Sequence, residues 1–358
     1  MNKKIIFSTG GTGGHIFPAV NLMKHFFDEG YNVLLVTDIR GENYIKNYSQ
    51  FKSYVLKADT VTKKNIINKL YSLLIIFYSI IKSIFILRKE KPALVFGFGG
   101  YVSFPISFAS KFFNIPLVIY ENNMILGRAN KYLSFIAKKI FIAKKIVKNF
   151  SEKHNAKTHE VGSILDKSII NLSTTKKENN NVFSILVLGG SQGAEIFGKV
   201  IPEVIKMIKM KGHDIQIMQQ CLSNQKKSLV DFYDKNKIKN YIFEFEKDIL
   251  KLLLSTNLAI TRCGASSTAE LTQTLTPFIA VPLPNSVDNH QYLNAKYYED
   301  KGCCLILEQN NFNSASLFNL IMETIENKSK LQSLSENMEK NSNKKVYEDI
   351  EKEVKKII

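Results

Sequence analysis

Lys4-Ile5-Ile6-Phe7-Ser8-Thr9-Gly10-Gly11-Thr12-Gly13-Gly14-His15 lies at the start of the chain, and Phe183-Ser184-Ile185-Leu186-Val187-Leu188-Gly189-Gly190-Ser191-Gln192-Gly193 repeats its design near the middle. Each stretch is a short apolar run that breaks into glycines just before a helical pattern begins. Runs of this kind predict buried parallel strands. The glycines let the backbone turn tightly into a helix whose first N–H groups face outward, an arrangement suited to an anion. Working outward from the first stretch, residues 32–37, 93–96 and 117–120 read as further strands, and a helix runs to about Glu29. The polar residues 173–181 read as a linker. After the second stretch, residues 258–261 and 278–281 continue the strand pattern. Strand–helix alternation that stops and restarts predicts an α/β protein of two doubly wound, Rossmann-like domains, with a ligand crevice facing the carboxyl ends of both sheets. The expected division is 1–165 and 166–358, with the charged, helical last stretch left open to pack back on the first domain.

The 358 residues are 45% hydrophobic, which excludes wholesale disorder. Cys221, Cys263, Cys303 and Cys304 form no disulfide framework and no C-x-x-C zinc pair, so a reducing cytoplasm is the expected compartment. The apolar run after Lys4 is too short for the core of a secretory signal. Net charge is +17 and uneven: residues 1–150 carry 22 Lys and Arg against 7 Asp and Glu, net +15, whereas residues 151–358 carry 27 against 25, net +2. A basic first half suits nucleic acid, anionic lipid or a polyphosphate. No nucleic-acid-binding motif accompanies the charge, so nucleic acid is not an expected partner. The greasiest stretch, residues 70–87, repeats Leu70, Leu73, Leu74, Phe77, Ile80, Ile81, Ile84 and Phe85 at helical spacing between lysines. It is expected to fall short of the about 20 apolar residues of a membrane span. It reads either as a helix lying at a membrane surface or as one packed on a sheet.

The glycine clusters at 10–14, 97–101 and 189–193 favour phosphate handling over plain tight turns. The dinucleotide fingerprint fails because Ile16 stands where the third glycine belongs, although Asp38 at the end of a strand keeps a nicotinamide dehydrogenase as an alternative. The nucleoside-triphosphate loop also fails, since Val200 follows Gly198-Lys199 in place of Ser or Thr. No Asp-x-Asp occurs, so no metal and no cofactor are expected at the reaction site.

Gly10-Gly11-Thr12-Gly13-Gly14-His15, Gly99-Gly100-Tyr101 and Gly189-Gly190-Ser191-Gln192-Gly193-Ala194 resemble the three glycine loops of the MurG family of bacterial N-acetylglucosaminyltransferases. Glu121-Asn122-Asn123 with Gly127 and Asn130, Arg262 through Leu271, and Val281 through Ala295 resemble further family segments in the same order. The resemblance implies a GT-B fold and inverting transfer of GlcNAc from UDP-GlcNAc to the C4 hydroxyl of undecaprenyl-pyrophosphoryl-MurNAc-pentapeptide, a step of peptidoglycan synthesis. A related GT-B transferase with another lipid acceptor is the nearest alternative. The resemblance also implies peripheral attachment to the cytoplasmic face of the inner membrane, with the first domain taking the lipid acceptor and the second the nucleotide sugar. The charge split agrees with that division.

By the same resemblance, Glu270 is expected to accept the ribose hydroxyls. Ala265, Ser266, Ser267, Thr268 and Ala269 are expected to offer backbone groups to the nucleotide, and Ser191 either to cap its helix or to meet a phosphate. Gln291 and Asn123 are assigned to the GlcNAc moiety. Thr12, Gly13, Gly14, Gly99, Gly100 and Tyr101 are assigned to the acceptor side. His15 is the first candidate for general base and Glu121 the second, with a structural pairing an open reading of Glu121. Three positions depart from the family pattern. Asp166 stands where an arginine meets the donor, so either Lys167 takes over that role or the donor does without a cation there. Glu246 replaces an apolar residue beside uracil, and Tyr120 replaces a histidine.

Overall fold

Ile5, Ile6 and Phe7 are fully buried in β1 (Lys4–Ser8), which has a parallel neighbour on each side. In the computed structural model, which describes residues 3–11, 13–45, 50–57, 66–145, 150–172, 182–190 and 194–358, the chain forms two units. One is Met1–Lys167 with Lys344–Ile358, and the other is Ser168–Asn343.

In the first unit β1 leads through Gly10 and Gly11 to α1 (Gly13–Asp28) and β2 (Asn32–Thr37). Then come α2 (Ile39–Ile45), β3 (Lys52–Val55), α3 (Ile66–Glu90), β4 (Leu94–Gly97) and α4 (Ser103–Ala109). The unit continues with β5 (Leu117–Glu121), α5 (Arg128–Leu133), β6 (Lys139–Ile142) and β7 (Thr158–Glu160). The strands form one parallel sheet in the order β3-β2-β1-β4-β5-β6-β7. Strand order reverses between β1 and β4, so the loops after these two strands flank the point where α/β sheets bind ligands. Val95, Ile106, Leu117, Ile119 and Ile140 belong to the aliphatic core on one face of the sheet. Phe7, Phe96 and Phe98 stack in sequence, with Phe7 and Phe96 centroids 5.9 Å apart and Phe96 and Phe98 4.8 Å apart.

The short α6 (Lys167–Ile170) carries the chain into the second unit. There β8 (Phe183–Leu188), α7 (Glu195–Met210), β9 (Ile215–Gln220), α8 (Ser223–Lys235), β10 (Lys239–Phe243), α9 (Ile249–Leu254) and β11 (Leu258–Thr261) follow one another. They lead to α10 (Ala265–Gln273), β12 (Phe278–Ala280), α11 (His290–Asp300), β13 (Cys304–Ile306), α12 (Ser314–Glu326) and α13 (Lys328–Lys340). This sheet is also parallel, in the order β10-β9-β8-β11-β12-β13, with its reversal between β8 and β11. The fold is therefore α/β with two doubly wound sheets. β3, β6, β7, β9, β10 and β13 go beyond the strands expected from sequence. Most of them lie at or near a sheet edge, where runs are short or mixed with polar residues, as in Lys239-Asn240-Tyr241.

The last helix, α14 (Val346–Lys355), returns to the first unit, so residues 344–358 are not part of the second unit as a simple 166–358 division would have them. Its spacing explains why. Val346, Ile350 and Val354 recur every four residues and are fully buried, each worth about 1.5–3 kcal/mol when removed from water. The Tyr347 hydroxyl donates to the Leu165 carbonyl, and Glu353 pairs with Lys139 of β6.

One carboxylate ties α3 to two strands of the first sheet. Glu90, at the end of α3, accepts hydrogen bonds from Lys4 (2.7 Å), Lys52 (2.6 Å) and the Tyr54 hydroxyl (2.7 Å). Burial alone would raise its pKa, but these three donors hold it down to about 2. A carboxylate with a depressed folded-state pKa stabilises the fold at pH values above its unfolded value, here 4.5. That stability is lost as pH falls toward 2. Glu90→Gln is accordingly expected to lower neutral-pH stability by about 2–3 kcal/mol. The gap to the parent protein should close as pH is lowered from about 5 toward 2, and denaturant titrations at several pH values would read it. A gap that persists at low pH excludes the linkage.

α3 is longer than the sequence led us to expect. It has 25 residues, and an 18-residue window within it reaches a mean hydropathy of 2.2, long and apolar enough to cross a membrane by length and composition alone. The expectation that the stretch falls short of a span is thereby corrected: Ile66, Ile67 and the residues through Glu90 extend the helix at both ends. One side is nonetheless committed to protein. Ser72, Ser79, Ser83, Ile86 and Leu87 are buried, the Ser79 hydroxyl donates to the Lys57 carbonyl, and the helix packs against α4. The other side exposes Leu70, Leu73, Leu74, Phe77 and Phe85.

Candidate functional site

In the first unit the loops after β1 and β4 meet through their glycines. Gly100 has φ +77°, and a Cβ there would lie 2.4 Å from the Gly10 carbonyl oxygen. A Cβ on Gly99 (φ +84°) would lie 3.3 Å from Nδ1 of His15, so the backbone of one loop runs directly past the imidazole of the other. Gly100→Ala combines a left-handed conformation with a backbone clash and is expected to destabilise this unit by about 3 kcal/mol or more. A denaturation midpoint equal to that of the parent protein would contradict the close approach of the two loops.

Asp38 closes the loop from below. Its Oδ2 accepts from the Gly11 N–H (3.2 Å) and the Arg40 side chain (3.0 Å), while Oδ1 caps α2 by accepting from the Gly41 N–H (2.9 Å). A ribose-binding acid needs its oxygens directed to the ligand, and here both are engaged by the protein's own donors. That removes the feature that kept a dehydrogenase in view.

Glu121 ends β5 and is 1% exposed. Its Oε1 accepts from the backbone N–H and side-chain amide of Asn123 (3.1 and 3.2 Å). Its Oε2 accepts from the Gly127 N–H (2.8 Å) and the Asn130 amide (3.0 Å). Four donors on a buried carboxylate define a clamp for the loop from residue 121 to residue 130, not an accessible base. Of the two readings of this residue, the structural pairing is the one the geometry favours. Asn130, to which no role was assigned from sequence, is the second half of that clamp. It also donates to the Tyr120 carbonyl at 3.0 Å. Tyr120 is itself buried, and its hydroxyl meets the Gly162 carbonyl and the Ile164 N–H, both at 3.1 Å, pinning the strand exit at 162–164. Tyr101 is exposed, and His15 is half-buried in the first turn of α1. Gly13 is buried and Gly14 exposed at the start of α1. Thr12 lies outside the described residues, as does Ser191 of the second unit.

Lys167, the expected substitute for the family arginine, is turned toward its own unit. Its ammonium lies 3.4 Å from Asp28 and over the ring of Tyr347. Asp166 is exposed beside it.

In the second unit α10 starts at the carboxyl end of β11, next to the loop that follows β8. The Arg262 N–H bonds the Leu188 carbonyl at 3.0 Å, and Gly190 (φ +78°) leaves room beside the Arg262 side chain. The Arg262 guanidinium is buried over the ring of Phe197 and donates to the Val281 carbonyl at 3.0 Å, so it holds the fold. Gly264 stands at the N-cap of α10 and brings no capping side chain to the amides of Ala265, Ser266 and Ser267. Glu270 lies further along the same helix and is half-buried. Thr268 and Ala269 are buried, and the Thr268 hydroxyl returns to the Gly264 and Ala265 carbonyls. Their side chains therefore face the core, which leaves only backbone groups to offer to a nucleotide.

The turn before α10 is held by two side chains of α11. Gln291 Oε1 accepts from the Cys263 N–H (3.2 Å) and the Leu283 N–H (3.0 Å), and Asn294 donates to the Cys263 carbonyl (3.0 Å). With Gln291 oriented in this way, its NH2 group points away from the clamp and makes no hydrogen bond among the described residues. Asn294 received no role from the sequence. The i, i+3 spacing from Gln291, which places both amides on one side of a helix, was the available signal. Glu246 accepts from the Tyr241 hydroxyl (2.7 Å) and the Asp248 N–H (2.8 Å), and these contacts keep its carboxyl below the usual range. It also borders a cleft of about 460 Å³ between β9, β10 and α9. None of the candidate donor residues lines that cleft.

Two parallel sheets with glycine loops at both reversal points define the GT-B architecture, and the family models make it that of a glycosyltransferase. Residues 5–142 match the glycosyltransferase family 28 N-terminal domain and residues 184–354 its C-terminal domain. A relative from Rickettsia canadensis, named UDP-N-acetylglucosamine--N-acetylmuramyl-(pentapeptide) pyrophosphoryl-undecaprenol N-acetylglucosamine transferase, is 38% identical, the match covering 94% of each chain. One of the same name from Pelagibacter ubique is 34% identical with the same coverage. The crystal structure of Acinetobacter baumannii MurG superposes with a TM-score of 0.81 over 99% of each chain at 24% identity. The chain belongs to glycosyltransferase family 28, in its MurG branch.

Proposed function

We propose that the protein transfers GlcNAc from UDP-GlcNAc to the C4 hydroxyl of undecaprenyl-pyrophosphoryl-MurNAc-pentapeptide, with inversion at the anomeric carbon. Membership of the MurG branch carries this reading, and the start of α10 supports it. Amides without a capping side chain, on the positive end of a helix dipole, suit the diphosphate of a nucleotide sugar. Glu270 accepts the ribose hydroxyls. The NH2 group of Gln291 donates to a GlcNAc hydroxyl, and Asn123 is assigned to the same sugar.

His15 takes the proton of the acceptor hydroxyl as the sugar departs from UDP. The loops around Gly13, Gly14, Gly99, Gly100 and Tyr101 receive the acceptor, and Ser191 meets a donor phosphate. Glu121 acts as a positioning residue for Asn123. Leaving-group charge is met by backbone donors, so no metal is required at this site.

The protein works at the cytoplasmic face of the inner membrane. The exposed side of α3 and Phe112 and Phe113 of the adjoining turn form an apolar surface on the unit that carries the basic excess, which suits an anionic bilayer. The test is a transfer assay with labelled UDP-GlcNAc and the lipid-linked acceptor, with UDP-GalNAc and NADH as controls. One UDP released per disaccharide formed supports the proposal. UDP release that ignores the acceptor, or an equal rate with UDP-GalNAc, overturns it.

A further inference from the structure

The last turn of α1 and the returning helix α14 meet at a group of side chains that the transfer reaction does not use. His25 is 6% exposed, and both of its ring nitrogens are buried without a hydrogen bond. Its Nε2 faces Oε2 of Glu351 at 3.4 Å. Glu29, one helical turn after His25, brings a third donor: one ligand atom from each of the three residues lies within 4.8 Å of the others.

A buried imidazole whose Nδ1 has no partner is costly, by about 1–3 kcal/mol, unless something completes its coordination. A neutral imidazole offers a nitrogen lone pair able to bind a metal. The surrounding cations leave the site open. Lys355 pairs with the opposite oxygen of Glu351, and Lys167 is drawn off by Asp28 and the Tyr347 ring. Tyr347 packs on the imidazole at a centroid separation of 4.9 Å and limits its rotation.

We propose that His25, Glu29 and Glu351 bind a divalent transition-metal ion of the zinc class, which clips α14 to α1. One nitrogen and two carboxylate oxygens suit Zn²⁺ in a four-coordinate site completed by water, and they do not suit Mg²⁺, which takes oxygen ligands throughout. His25 and Glu351, at 3.4 Å, already stand near the separation of about 3.3 Å that bonds near 2 Å impose, and Glu29 has to draw in from within 4.8 Å. Glu29 is exposed and free to rotate inward. His25 lies ten residues beyond His15 on the same helix, about 15 Å along its axis, so the ion takes no part in the chemistry.

The test uses the full chain stripped with a chelator. Calorimetric titration with Zn²⁺ is expected to show one equivalent bound, and Co²⁺ to give a visible absorption band of a low-coordinate site. Mg²⁺ is expected to give no heat. Glu29→Gln, at an exposed position where folding is not at risk, should weaken Zn²⁺ binding at least tenfold, and His25→Asn should abolish it. Both variants should retain the parental affinity for UDP-GlcNAc. Zn²⁺ affinity unchanged in Glu29→Gln, or a response to Mg²⁺ equal to that to Zn²⁺, overturns the assignment.

Discussion

Glu270→Ala is expected to raise the dissociation constant for UDP-GlcNAc about a hundredfold while leaving the fold intact. A carboxylate accepting two ribose hydroxyls makes charge-assisted bonds, each worth about 1.5–3 kcal/mol. Losing both removes about 3 kcal/mol after water has replaced part of the interaction, and 1.4 kcal/mol corresponds to a tenfold change. Glu270 is half-buried on α10, so removing it opens no core cavity. Glu270→Gln keeps the shape and one acceptor, and should fall between the two. The decisive comparison is with UMP and deoxy-UMP. If the parental protein prefers the ribose form and the alanine variant does not, the carboxylate reads the sugar hydroxyls. Equal donor affinity in parent and variant would falsify the assignment.

The second large effect is expected at the membrane. Leu74, Phe77 and Phe85 are each more than 60% exposed on α3. Full burial of such side chains is worth about 1.5–3 kcal/mol each, and partial insertion at an interface about 1 kcal/mol. Replacing all three by Ser should therefore cut partitioning to anionic vesicles about a hundredfold, at unchanged thermal stability, because none of them contributes to the core. Vesicle sedimentation at two salt concentrations separates the apolar share from the electrostatic one, which salt screens. Partitioning of the triple variant equal to the parent's would mean that this side of α3 does not meet lipid.

Much of this was legible in the residues. The apolar runs of β1 and β8 and the glycines after them predicted two parallel sheets, because a buried parallel strand and a tight turn leave strong local marks; the strand order came only with the structure. The residues of α10 and its neighbours were also found from their motif. Roles that depend on partners distant in sequence were not visible. Glu121 resembled a base until its four donors were in place, and only the structure shows that Asn294 and Gln291 grip Cys263 together. Thr268 and Ala269 share a motif with half-buried residues, yet the helical period turns them to the core. The length of α3 was underestimated because Lys69 and Lys82 interrupt its sequence without interrupting its helix. The return of α14 was left open, since an amphipathic helix records that it has an apolar partner but not which one.

That return has a consequence for biosynthesis. The first unit lacks one of its helices until residues 344–358 have been made, so a ribosome must translate past the entire second unit before the first can close. The second unit, one unbroken segment from Ser168 to Asn343, can mature earlier, although it is translated later than most of the first. The amino-terminal half therefore waits, its α14 groove uncovered, while the later half folds. A stop before residue 344 would leave the second unit whole, yet the beginning of the protein unfinished.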